Sequence, residues 1–161
     1  MTDTTVRLLT PDDWQTYREI RLAMLRESPG AFGSRYADAV TFDEDTWRGR
    51  LTSCDHHLAE LDGDPVGAAG LSVGQGPLVQ ADLIGMWVRP QARGRSVGAL
   101  LVQAVLDRAA ERGCDRVRLQ VVDGNAPARR LYERMGFVAT GVVTAYPNAP
   151  GATESEMVRL L

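Results

Sequence analysis

The sequence predicts a single α/β domain of the α+β kind, a mixed sheet with flanking helices, and three observations carry that reading. With 161 residues, 44% of them apolar, the chain can bury one good core, because single domains commonly run to roughly 100–200 residues. Residues 57–73 place two strand-like runs around Asp62-Gly63-Asp64, the mark of a β-hairpin. Residues 78–122 read strand, long helix, strand, with a crossover long enough for a parallel pairing. No repeat, linker or low-complexity stretch divides residues 1–161, so one domain is expected throughout.

Taken in order, residues 6–9 form a short strand candidate. Thr10-Pro11-Asp12-Asp13 then offers a capping hydroxyl, a proline for the first turn and acid beside it. A helix should follow to about Glu27, because Trp14, Tyr17, Arg21, Met24 and Leu25 recur at helical spacing and Ser28-Pro29-Gly30 stops it. Residues 31–42 read as a loop or broken helix. A short helix over 43–51 puts Trp47 and Leu51 on one face. Strands at 57–61 and 65–73 flank the Asp-Gly turn, a turn at 74–77 follows, and a third strand at 78–88 ends at Arg89-Pro90, where proline stops ladder donation. A helix over 97–112 carries Val97, Leu101, Ala104, Val105 and Ala109 on one side, with Gly113 as its left-handed cap. The strand at 116–122 returns beside the third strand, either paired in parallel or splayed around something bound between them. A helix over 126–135 has Asn125 as cap and Gly136 at its end; strands at 137–143 and 154–161 close the chain, joined by a Pro/Gly-rich loop at 145–151.

Composition removes several classes of function. A net charge of −3 gives no general electrostatic case for a nucleic acid or an anionic membrane as partner. Phosphate binding would have to be local. Cys54 and Cys114, the two cysteines, lie far apart without a CxxC or Cys/His cluster, which suits a reducing compartment better than a disulfide framework. The start at residues 1–5 is polar with no apolar signal segment behind it, and no run approaches the roughly 18 apolar residues of a membrane helix. A soluble cytoplasmic protein is expected. His56 and His57 are adjacent, lack the i,i+4 spacing of helical ligands and have no carboxylate cluster, so they read as structural and no metal is expected.

The most informative segment is Val88-Arg89-Pro90-Gln91-Ala92-Arg93-Gly94-Arg95-Ser96-Val97-Gly98. It leaves a strand, makes a small-residue loop and opens the long helix, where unpaired N–H groups and the positive end of the macrodipole attract anions. Arg93 and Arg95 add charge suited to phosphate oxygens. Neither GxxxxGK[ST] nor GxGxxG is present, which counts against a nucleotide-phosphate binder.

The run Arg93-x-x-Ser96-x-Gly98 after Val88-x-Pro90 resembles the acyl-CoA loop of the GNAT superfamily of N-acetyltransferases, with Ser96 where that family usually has glycine. Asn125-x-x-Ala128-x-x-Leu131-Tyr132-Glu133-x-x-Gly136-Phe137 resembles the family's second signature at the expected distance downstream. The resemblance implies a mostly antiparallel mixed sheet in which two neighbouring parallel strands, 78–88 and 116–122, splay in a V that takes the pantetheine arm of acetyl-CoA. It further implies that the main chain of Met86, Trp87 and Val88 pairs with pantetheine, that Arg93, Gly94, Arg95, Ser96, Val97, Gly98 and Ala99 cradle the pyrophosphate, and that Asn125 bonds the cofactor arm. A homodimer is compatible with it, since late strands of this fold often pair across subunits.

The activity so implied is transfer of acetyl from acetyl-CoA to a primary amine of a small molecule or peptide, directly within a ternary complex. An amine attacks a thioester only when neutral, and a lysine-like ammonium has a pKa of about 10.4, so a proton acceptor is required. Asp82 takes that role first, because Ala81-Asp82-Leu83 stands where part of the family has a glutamate base in the same setting. Tyr132 matches the family's acid, which protonates or stabilises the leaving thiolate. Gln120 stands where N-terminal acetyltransferases of the superfamily often have glutamate, and glutamine is no base. Backbone N–H groups at a bulge around Trp87 could meet the developing oxyanion. Phe32, Tyr36, Trp47 and Tyr146 are candidates for an acceptor pocket, and the acidic net charge points to a cationic amine. The competing readings are a noncatalytic acyl-CoA sensor and a protein N-terminal or lysine acetyltransferase.

Overall fold

A computed structural model describes residues 3–29, 34–75 and 80–161 of the chain. Among these, strands β1 (Thr4–Leu8), β2 (Asp55–Leu61), β3 (Asp64–Val73), β4 (Ala81–Val88), β5 (Arg116–Val122), β6 (Val138–Ala145) and β7 (Thr153–Leu160) form one sheet, ordered β1-β2-β3-β4-β5-β7-β6. Every pairing is antiparallel except β4 with β5. The α+β class expected from the sequence is borne out, and so is the V. The parallel pair meets only at Ala81–Val117 and Asp82–Arg118, after which the strands part.

Helices α1 (Trp14–Glu27), α2 (Tyr36–Ala39) and α3 (Glu44–Ser53) cover one face of the β1–β4 half, while α4 (Val97–Glu111) and α5 (Ala126–Arg134) pack on the other. Local chemistry explains the starts. Asp43 accepts the Thr46 N–H at 2.9 Å and so caps α3; Asn125 Oδ1 accepts the Ala128 N–H at 3.3 Å and caps α5. Thr10-Pro11 opens a short 3₁₀ turn, Pro11–Asp13, before α1, because Asp13 reaches back to accept the Thr10 N–H at 2.8 Å and tightens the chain there. The β2–β3 connection is a two-residue turn with Asp62 at φ 49° and Gly63 at φ 87°, the doubly left-handed geometry a tight hairpin requires.

Alternation along the strands builds two cores. Leu71, Ala81, Leu83, Val117, Leu119 and Met157 face α4 and α5; Leu58, Ala68 and Trp87 face α1 and α3, where Tyr17 meets Trp47 edge-on at 5.7 Å. Trp47 is wholly buried there and Tyr36 packs against the same cluster, so neither lines the pocket foreseen for them. Phe32 lies outside the described residues, as do residues 78 and 79, where the third strand was expected to begin. Beyond β4 the α1 side of the sheet has no covering helix among the described residues, which leaves the β5–β7 half open for a ligand.

Gly67 on β3 shows how tightly this frame is set. A Cβ there would lie 2.8 Å from the Trp87 carbonyl oxygen and 3.1 Å from Leu101 Cδ1, and the backbone oxygen cannot swing aside. Gly67→Ala is therefore expected to cost about 2 kcal/mol or more, read as a lowered urea midpoint with unchanged slope; an unaltered midpoint would show that β3 and β4 can separate freely.

Candidate active site

One cleft of about 1490 Å³ runs through the V and gathers most residues singled out from the sequence. Asp82, residues 86–88, Arg93, Gly94, residues 96–99, Asn125, Tyr132, Gln120 and Tyr146 all line it. Arg95 is exposed and does not.

The wall formed by β4 owes its shape to a bulge. Ala68 pairs with Trp87 and Gly70 with Ile84, so Gly85 and Met86 together stand opposite Ala69 alone. Gly85 makes this possible by adopting φ 57°. The bulge thus lies just before Trp87, the residue around which it was expected. On its other side β4 has lost β5, so the main chain of residues 83–88 has no strand partner there and offers a free edge to an extended ligand.

The loop into α4 offers a second set of donors. The N–H groups of Gly94, Arg95, Ser96, Val97, Gly98 and Ala99 donate to no acceptor among the described residues; the first helical bond beyond them is Leu100 N–H to the Ser96 carbonyl at 3.1 Å. Gly94 at φ 79° and Ser96 at φ 63° alternate with right-handed or extended neighbours, which curls these donors into a concave nest at the positive end of a 15-residue helix. Ser96 therefore does not sit in an ordinary first helical turn. It holds a left-handed conformation suited to glycine, and its hydroxyl makes no capping hydrogen bond. Ser96→Gly should raise stability by about 0.5–1 kcal/mol, since relief of left-handed strain outweighs the added freedom of the unfolded chain; a lower melting temperature would contradict this. Gly98 serves contact instead, because a Cβ there would meet Leu131 Cδ2 at 3.0 Å and Met86 Cε at 3.2 Å.

Arg93 turns away from the nest. Its Nε donates to the Val88 carbonyl at 2.9 Å and its Nη2 lies 3.4 Å from Glu27, whose carboxylate also accepts Trp87 Nε1–H at 2.8 Å. Hydrogen bonds from Ser28 and Trp87, with the Arg93 charge, hold Glu27 below the usual carboxylate range. This trio fastens the loop to α1 and the end of β4.

At the point where the strands part, Asp82 meets Arg118 with both oxygens, at 2.6 and 3.3 Å, and Arg118 reaches Glu156 at 3.6 Å. Glu154, two residues earlier on β7, lines the cleft and has no ion pair among the described residues. Tyr132 on α5 is 7% exposed, packs edge-on against Phe137 at 5.9 Å, and is pushed up to about 12 by burial. Its oxygen makes no hydrogen bond with a described residue. His57 is buried in the sheet, whereas His56 is half-buried and lines the cleft. Cys114 is buried, its thiol raised by that burial. Among the described residues no three His, Cys, Asp or Glu side chains gather as metal ligands, and no helix is long and apolar enough to cross a membrane.

Sequence reasoning did not find Arg21, Arg50, Arg118 or Glu154, all of which line the cleft. Arg118 was signalled by its place two residues into β5, where a parallel register would set it opposite Asp82. The other three depend on how helices and β7 pack, which local pattern does not carry.

Comparison with known proteins agrees with this geometry. The mycothiol acetyltransferase of Thermomonospora curvata is 36% identical over 93 residues, which is 58% of this chain and 31% of that protein, so the chain spans about a third of its length. An acetyltransferase of the GNAT family from Streptococcus pneumoniae superposes with a TM-score of 0.81 at 22% identity over 99% of both chains. The putative acetyltransferase yncA from Salmonella typhimurium, solved with acetyl-CoA, gives 0.76 at 18% identity over 99% of this chain and 94% of that one. These two likenesses show the fold. The model of the acetyltransferase (GNAT) family matches residues 14–137, well over half of the sequence, and the chain belongs to that family.

Proposed function

We propose that this protein moves the acetyl group of acetyl-CoA to a primary amine of a small molecule or peptide, both substrates being bound at once. The observation that carries the proposal is the run of six N–H groups, residues 94–99, without an acceptor among the described residues, at the mouth of a V-shaped cleft. A pyrophosphate supplies the acceptors such a nest needs, and the free edge of β4 leads inward from it toward the bulge. Asn125 keeps its side-chain N–H₂ for the cofactor arm while its oxygen caps α5.

Acetyl-CoA supplies an activated thioester; the residues of the chain bind, orient and move protons. The main chain at the Gly85–Met86 bulge faces the V where the thioester carbonyl would lie and can donate to the charge developing there. Asp82 keeps lone pairs free beyond its contact with Arg118 and takes the amine proton through water; Glu154 lies on the same open half of the sheet and offers a second outlet. Tyr132 donates to the leaving sulfur. Neither Cys54 nor Cys114 makes a sulfur hydrogen bond to a histidine or carboxylate among the described residues, which favours direct transfer over a covalent relay.

Calorimetric titration with acetyl-CoA, followed by thiol release over small amines, polyamines, amino acids and peptides, tests this. Binding with release tied to an amine class supports it. Binding without release to any amine would favour an acyl-CoA sensor, and absence of binding would remove the cradle assignment.

A further inference from the structure

The inner end of the cleft, beneath α1 and α3, is built from Tyr17 and Arg21 on α1, Arg50 on α3 and His56 on β2. Each is held in place. The Tyr17 and His56 rings lie 4.7 Å apart. His56 is tucked against Gly70, where a Cβ would stand 2.9 Å from its Nδ1. The Arg50 guanidinium lies over the Phe42 ring at 5.0 Å and 5.9 Å from the Trp47 ring, so its plane is fixed by aromatic packing. Arg21 reaches the bulge itself: its Nη1 would be 3.3 Å from a Cβ on Gly85, room that exists because Gly85 has none.

Charge at this end is positive. Burial, together with the nearby Arg21 and Arg50, drives His56 down to about 4, so at neutral pH its imidazole is uncharged, and burial lowers Arg21 from the usual guanidinium value. Asp82 faces Arg118, Asp55 faces Arg108 and Arg112 on the opposite side of the sheet, and Glu27, further along α1 in the same lining, holds Trp87 and Arg93. The acidic groups that line the cleft toward its open half are Asp82 and Glu154. The cleft therefore presents Arg21 and Arg50 at its closed end, while at the splay the carboxylates of Asp82 and Glu154 stand beside the guanidinium of Arg118.

Building on the acetyl-transfer reading, we propose that the acceptor is an amine that also carries a carboxylate, of amino-acid type, with the carboxylate held by Arg21 and Arg50 and the amine turned toward the splay. Planar forked donors match a carboxylate bidentately, and Arg21 at the bulge places the anion close to the reacting centre, so a short spacing between amine and carboxylate is favoured. This revises the expectation of a simple cationic amine drawn from net charge, because the charge at a site is set by which side chains face it.

The test compares acceptors in pairs that differ by the carboxylate alone: phenylalanine with phenethylamine, histidine with histamine, lysine with cadaverine, each in the thiol-release assay. The carboxylate-bearing member should show kcat/KM about tenfold or more above its partner. Arg50→Gln and Arg21→Gln should each shrink the kcat/KM ratio of the amino acid over its decarboxylated partner about tenfold, chiefly through KM of the amino acid, and Arg50→Lys should restore part of that ratio. Equal or reversed preference overturns the proposal, as does an Arg21→Gln variant that loses kcat on both members alike, which would assign that guanidinium to the reacting oxygen. If no amine releases thiol, acetyl transfer itself fails. The anion site is then decided by calorimetry on the CoA-loaded protein with N-acetylphenylalanine against N-acetylphenethylamine, where binding of both equally, or of neither, rejects it.

Discussion

Replacing Tyr132 with phenylalanine is expected to lower kcat by about a hundredfold or more while acetyl-CoA affinity stays within about twofold. The phenol is pushed up to about 12 by burial alone. A leaving thiol near the cysteine value of about 8.5 could not be fully protonated by such a group without an uphill step of roughly 5 kcal/mol, so Tyr132 acts as a hydrogen-bond donor to sulfur as negative charge builds. That role has a pH signature. The phenol stays protonated until pH approaches its raised value, so kcat/KM should climb as the amine loses its proton and show no Tyr132-dependent fall below about pH 10. The Tyr132→Phe profile should keep the same shape at lower height. Because the hydroxyl makes no hydrogen bond to a described residue, stability should move by no more than about 0.5 kcal/mol, which denaturant unfolding checks. Equal turnover in the two proteins would sink the assigned role.

Much of the fold was legible because its signals are local. The long helix was expected over 97–112 and runs Val97–Glu111; the strand expected over 116–122 is Arg116–Val122. Caps, the Asp-Gly turn and apolar periodicity write these boundaries into neighbouring residues. The same holds for the nest, where a strand end, a short Gly-containing loop and a helix start are contiguous. Legibility fails where contacts are distant or a residue violates its own preference. Gly85 in mid-strand was a signal for the bulge, since glycine inside a strand often marks one, yet its register is fixed only by pairing with β3. Ser96 at φ 63° breaks the rule that would have read it as helical. Aromatics near the first helices looked like pocket walls, but Trp47 fills the core and Arg50, stacked on it, reaches the cleft instead. Arg118 contacts Asp82 across 36 positions of sequence, a distance no periodicity spans.

Ala99→Glu should separate fold from ligand. Ala99 is the third residue of α4, after cap Ser96, and lines the cleft with its N–H directed into the nest. A glutamate there sits at the positive end of the macrodipole and can reach back to the free N–H of Ser96, so stability should hold or rise by about 0.3–1 kcal/mol. The same carboxylate would occupy the donors that a pyrophosphate requires and repel its charge, and like charges brought together in an interface cost several kcal/mol. Acetyl-CoA affinity should therefore fall by about a hundredfold, equivalent to roughly 2.7 kcal/mol, in titration calorimetry. Desulfo-analogues and CoA itself should weaken in parallel, because the defect lies at the phosphates and not at the thioester, whereas kcat at saturating acetyl-CoA should stay within a few-fold of the original. A variant with unchanged affinity would show that the free N–H groups of residues 94–99 hold something other than the cofactor's phosphates. A loss of kcat without loss of affinity would move the pyrophosphate elsewhere along the cleft and leave α4 with a purely architectural part.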